Sequence, residues 1–161
     1  MNLYHGSLDI VKTPEIRTPN RMLDYGAGFY TTTSIEQAQA WVQRRMKEYR
    51  AETGYVNTYE FDKKILSSIN SLIFNAPTEE WLDFVMNNRT DPKFTHSYDI
   101  VYGPVANDRV YAAFALYEGG ILNKQELINE LKTYNLVDQI LFHSEKSLHY
   151  LRFQEAKEVY L

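Results

Sequence analysis

Two short stretches carry the residue types that can do chemistry. The first is Leu3-Tyr4-His5-Gly6-Ser7, and the second is Gly26-Ala27-Gly28-Phe29-Tyr30-Thr31-Thr32. An imidazole exchanges protons or holds a hydroxyl, a glycine leaves its backbone open to a close neighbour, and a serine offers a hydroxyl. In the second stretch two glycines before an aromatic strand let a ligand or another backbone approach, and the Tyr30 ring makes a flat wall. Each stretch also has a plain local meaning: a capped turn after a first strand, and a turn before a strand. The remaining chemistry is thin. No two of His5, His96, His143 and His149 stand four apart on a helix, and HExxH is absent, so their spacing does not indicate a metal. His143 and His149 read as solvent-facing or hydrogen-bonded residues of the last segment. GxSxG and GxxxxGK(S/T) are missing, and the absence of cysteine excludes disulfides, zinc thiolates and a cysteine nucleophile.

The elements that must position these residues follow from periodicity. Leu3-Tyr4-His5 reads as an opening strand stopped by Gly6-Ser7, and 12–28, with Pro14, Pro19, Gly26 and Gly28, as a long loop of the kind that carries function. Phe29–Thr32 is a strand. Ser34 and Gln37 have capping-box spacing, and Ile35, Ala38, Trp41, Val42 and Met46 recur at helical intervals to about residue 50. Further strands are expected at 55–61, 98–102 (broken by Gly103-Pro104), 137–142 and within 150–161. Further helices are expected from Thr78, over 108–117, and over 123–133 with Asn123 and Glu126 at capping spacing. Strands frame the chain at both ends with helices between them, which predicts a mixed or antiparallel α+β fold.

At 161 residues a single domain over 1–161 is expected. No apolar run approaches the roughly 20 residues that span a bilayer, and the chain reads as cytoplasmic with no membrane partner. Lys and Arg total 17 against 21 Asp and Glu, a net charge of −4, so the surface as a whole does not attract a polyanion. The basic run from Gln43 to Arg50 reads as the solvated face of a helix. Thirteen tyrosines suit half-buried sheets and ring-stacking pockets alike.

LYHGS, then YGAGFYTTTSIEQAQAW, then DQILFHSEKSLHYLRF resembles, in order, the three-part His-Tyr-Glu signature of ADP-ribosyltransferases of the diphtheria-toxin and poly(ADP-ribose) polymerase type. The sequence is most similar to a bacterial family catalogued as domain of unknown function 3990, often encoded beside a small partner protein in what look like toxin-antitoxin pairs. The resemblance implies an ADP-ribosyltransferase-like domain, its split mixed or antiparallel sheet flanked by helices, that takes NAD as substrate and needs no metal. It implies that His5 holds a ribose hydroxyl, that Gly6 offers its backbone and Ser7 its hydroxyl to the nicotinamide carboxamide, and that Tyr30 stacks on the nicotinamide ring. Trp41 stands where relatives place a second ring, although it also fits the apolar face of its helix. The late strand departs from the pattern, with Gln139 at the position of the catalytic glutamate. A carboxylate there stabilises the oxocarbenium-like ribose, whereas an amide keeps a hydrogen bond and loses the charge. Glu145 is the reserve carboxylate, and Asp138 should point to the opposite face by strand alternation. Arg17 and Arg21 are candidates for the pyrophosphate, while Asn107-Asp108-Arg109 is a polar turn whose Asp108 equally well caps a helix.

The expected activity is mono-ADP-ribosyl transfer to a protein, DNA or RNA acceptor, with the chain as toxin and a small antitoxin protein as partner. The alternatives are a weak or inactive NAD-binding or partner-binding module of the same fold, and an assembly protein with a tyrosine-rich interface.

Overall fold

The computed structural model describes residues 1–17, 25–104, 108–134 and 136–161, with Asp108 described for its backbone alone. The chain forms one seven-stranded sheet, order β4-β5-β6-β2-β1-β3-β7. Its strands are β1 (Asn2–Ser7), β2 (Phe29–Thr32), β3 (Gly54–Glu60), β4 (Ser71–Ile73), β5 (Ile100–Pro104), β6 (Asp138–Phe142) and β7 (Arg152–Val159). β4 and β5 are parallel and all other neighbours antiparallel. The helices are α1 (Ile35–Tyr49), α2 (Glu79–Thr90), α3 (Asp108–Glu118), α4 (Lys124–Lys132) and α5 (Glu145–Leu148). The fold is α+β, with a mixed sheet, as the order of elements predicts.

Alternation along the strands gives the sheet two covered faces. On the front, Ala38, Val42 and Met46 of α1 pack on Val56 and Val159, with Tyr4 alongside. Also on the front, Trp81, Leu82 and Val85 of α2, Phe114 of α3 and Leu127 and Leu131 of α4 bury Val101 and Leu141, with Tyr30 against their edge. On the back, Leu3, Phe29, Tyr59, Ile100, Ile140 and Phe142 form one cluster, capped by Leu66, Leu148 and Leu151.

Two glycines expected to stop strands lie inside them. β1 continues through Gly6 and Ser7, which pair with Val56 and Tyr55, and β5 continues through Gly103 and Pro104, which pair with Gln139 and Asp138. In both strands the glycine answers close packing. A Cβ on Gly6 would lie 2.6 Å from Ala38 O, and one on Gly103 would lie 2.6 Å from the Tyr25 hydroxyl. Ser34 caps α1 by accepting from the Gln37 N–H, but the Gln37 side chain turns to Thr32, 3.5 Å away, so the reciprocal bond of a capping box is not made. Asn123 and Glu126 do make both bonds at the start of α4. The short strand β4 and the single turn of α5 escape prediction, being too brief to show periodicity.

Candidate functional site

The sheet is nearly divided between β1 and β2. β1 pairs with β3 at every residue from Asn2 to Ser7, but with β2 only through Tyr4 and Thr32. Thr33 donates its N–H to Asp138 O on the β6 side, so by alternation the N–H and C=O of Tyr30 and Thr32 point toward β1. The same parity aims the N–H and C=O of Gly6 at β2, across a seam where no further residue pair joins the strands. His5 crosses this seam. Its Nδ1 lies 2.7 Å from Tyr30 O, while its ring rests on Phe29 at 4.3 Å between centroids. A carbonyl only accepts, so Nδ1 carries the proton and the neutral ring presents Nε2 as an acceptor. Burial, more than the nearby Arg17 charge, holds the His5 pKa below its ordinary 6.5 against the opposing effect of the Tyr30 bond.

The pairing register brings the other residues onto the front. Tyr4, Thr32, Gln139 and Gly103 stand opposite one another in one row across β1, β2, β6 and β5, and Tyr30 stands opposite Leu141 in the next. Tyr30 and Gln139 therefore share a face, on the strip of β2 and β6 between α1 and the α2–α4 group. Tyr30 donates its hydroxyl to Gly26 O at 2.6 Å, which ties the ring to the glycine turn. Gln139 is 5% exposed, and its amide makes no hydrogen bond among the described residues.

Trp41 does not join the core of α1. It is 38% exposed, whereas Ala38, Val42 and Met46 are buried. Its Cδ1 lies 3.2 Å from where a Cβ of Gly6 would stand, and the Arg44 and Arg45 guanidiniums each lie 5.8 Å from its ring centre. Tyr30 and Trp41 are thus both on the front, beside the seam.

Other expected site residues stand apart. The Ser7 hydroxyl accepts the Asp9 N–H at 3.1 Å, a local turn that leaves its own hydrogen to donate. Asp138 lies on the back, where the Tyr102 hydroxyl donates to its Oδ2 at 2.9 Å; burial and this carboxylate raise the Tyr102 pKa to about 12. Glu145, the reserve carboxylate, stands apart from Gln139. It is exposed and begins α5 beyond Phe142, and Gln139 to Phe142 alone spans about 10 Å of strand. Arg17 is exposed and 3.7 Å from Glu15. Arg21, Asn107 and the Asp108 side chain lie outside the described residues; α3 begins at Asp108. A cavity of about 270 Å³ opens by Lys63, Tyr102 and Asp138 on the back, and another of about 400 Å³ lies between α3 and α4.

Two residues that spacing did not single out bear on the site. His143 Nδ1 donates to Ala27 O at 2.7 Å, and His96 packs edge-on against it with centroids 4.5 Å apart. Burial lowers both pKa values, that of His143 to about 4. Residues so far apart in sequence show no common pattern until β5 and β6 pair.

Fold and site together define an α+β domain whose single sheet opens at a seam lined by a histidine, a glycine backbone and two aromatic rings. The chain belongs to the family described as "Protein of unknown function (DUF3990)", whose model matches residues 1–153. No curated protein and no solved structure matches it. Among the described residues no helix is long and apolar enough to cross a membrane.

Proposed function

We propose that the protein is a mono-ADP-ribosyltransferase of the diphtheria-toxin and poly(ADP-ribose) polymerase type, taking NAD as substrate and a protein, DNA or RNA as acceptor. The observation that carries the proposal is the seam between β1 and β2. There His5 spends Nδ1 on Tyr30 O and keeps Nε2 as an acceptor, beside the inward-pointing N–H and C=O of Gly6. A primary carboxamide needs one acceptor and one donor, which the Gly6 backbone supplies, and a flat ring needs an aromatic wall, which Tyr30 supplies with Trp41 nearby.

In this scheme the bond from nicotinamide nitrogen to ribose C1′ breaks with its electron pair leaving on nicotinamide, which departs neutral. The ribose becomes oxocarbenium-like, the acceptor nucleophile bonds to C1′, and the nucleophile loses a proton. His5 Nε2 accepts from a ribose hydroxyl and fixes the sugar; the Gln139 amide can hold the 2′-hydroxyl but brings no negative charge. Loss of one such electrostatic group costs on the order of a hundredfold or more, so slow turnover and single-unit transfer are expected, without chain elongation.

Purified protein given labelled NAD and cell lysate should release nicotinamide and label a macromolecule, and His5→Ala and Tyr30→Ala should each reduce both on the order of a hundredfold or more. Gln139 also favours a second reading, a module that binds NAD or a partner without turnover, for which NAD binding would persist with no nicotinamide released. As the toxin of a toxin-antitoxin pair, the wild-type chain should arrest growth on expression, and His5→Ala should relieve the arrest.

A further inference from the structure

We infer that His143 is a positioning residue for Tyr30, acting through the Tyr25–Gly28 turn, with His96 packed against its ring. The inference rests on the proposed role of Tyr30 as a ring wall for NAD.

The turn is held at two consecutive carbonyls by two different side chains: the Tyr30 hydroxyl donates to Gly26 O, and His143 Nδ1 donates to Ala27 O. His96 packs edge-on against the His143 ring with centroids 4.5 Å apart, and its Nδ1 accepts the Tyr98 N–H at 3.3 Å. The turn has no freedom to adjust on the other side. Gly26 has φ +80, and a Cβ there would lie 2.9 Å from Asn88 Oδ1; a Cβ on Gly28 would lie 2.9 Å from His143 Nδ1. The Tyr25 hydroxyl accepts from Trp81 Nε1 at 2.6 Å and donates to Pro104 O at 2.8 Å, anchoring the start of the turn to α2 and β5.

His143 is also an expensive way to fill its place. Nε2 is buried with no hydrogen-bond partner among the described residues, a cost that an apolar side chain of similar volume would avoid. What the imidazole offers in return is a donor at Nδ1, one bond from the ring carbon nearest the backbone, directed at Ala27 O. Tyr30 is bonded back to the same turn, so the position of its ring follows the position of that carbonyl.

His143→Leu fills the volume without the donor, and His143→Asn restores a donor at the Nδ1 position. With tyrosine rings isotopically labelled and the Tyr30 signal assigned from Tyr30→Phe, His143→Leu should shift or broaden that signal and weaken NAD binding about 3–10-fold. His143→Asn should return both toward wild type, a rescue that lost packing alone would not give. An unmoved Tyr30 signal in His143→Leu would overturn the inference. If His143→Leu does not fold, His143→Asn must still show a wild-type Tyr30 signal, and His143→Met, which fills the place with a flexible side chain but offers no donor, must displace it; the opposite pattern overturns the inference. Wild-type protein that binds no NAD while its Tyr30 signal tracks residue 143 would remove the proposed function and leave the positioning role standing.

Discussion

β1 treats its two neighbours differently. Toward β3 it pairs residue for residue and is reinforced by Asn57, a fully buried amide that donates to His5 O and Asp9 O and accepts from the Val11 N–H. Toward β2 it pairs at Tyr4 alone, and the next connection is a histidine side chain rather than a backbone. The closed side satisfies its polar groups internally and contributes stability. Among the described residues the open side gives His5 Nε2 and the Gln139 amide no protein partner, which leaves both available to a ligand.

Five substitutions and a pH titration test that contrast. His5→Ala, on the open side, should reduce nicotinamide release on the order of a hundredfold or more while lowering folding stability by only about 1 kcal/mol, the net worth of one hydrogen bond. Asn57→Ala, on the closed side, should do the reverse. It orphans several buried groups and should cost roughly 2–4 kcal/mol in a urea titration, with cleavage by the folded fraction little changed. Gly6→Ala forces a methyl against Ala38 O and Val42 and should cost about 1–3 kcal/mol by overpacking.

A smaller effect is expected with pH. Burial depresses the pKa of His5, His96 and His143 in the folded state below the ordinary 6.5, that of His143 to about 4. The unfolded chain therefore binds more protons over this window, so stability is fully present above pH 6.5 and is lost as pH falls toward 4. Urea midpoints measured across pH should show this slope, and His143→Asn should flatten it. Glu145→Gln should change neither cleavage nor stability, since Glu145 is exposed and stands at the far end of β6 from Gln139.

Much of this was legible in the sequence, and the misses share a physical cause. Periodicity located α1 and the caps at Ser34 and Asn123, and the ordered stretches around His5, Tyr30 and Gln139 meet across β1, β2 and β6. Gly6 and Gly103 read as breaks because a glycine signals a turn and a tight contact in the same way, and only the partner across the gap tells them apart. Trp41 fitted the apolar spacing of its helix, yet an arc of that width includes positions at its margin, where the ring meets solvent and two guanidiniums. The seam itself was invisible. Unpaired backbone has no sequence signal, since it depends on β2 running apart from β1 until Thr32 meets Tyr4.

The central claim is that the open edge of β1 receives NAD. A titration of isotopically labelled protein with NAD, followed through backbone amide and indole N–H resonances, tests it directly. The Gly6 amide and the Trp41 indole should shift most, and His5→Ala should suppress both shifts. Shifts confined to the cavity between α3 and α4, or no shifts at all, would contradict it.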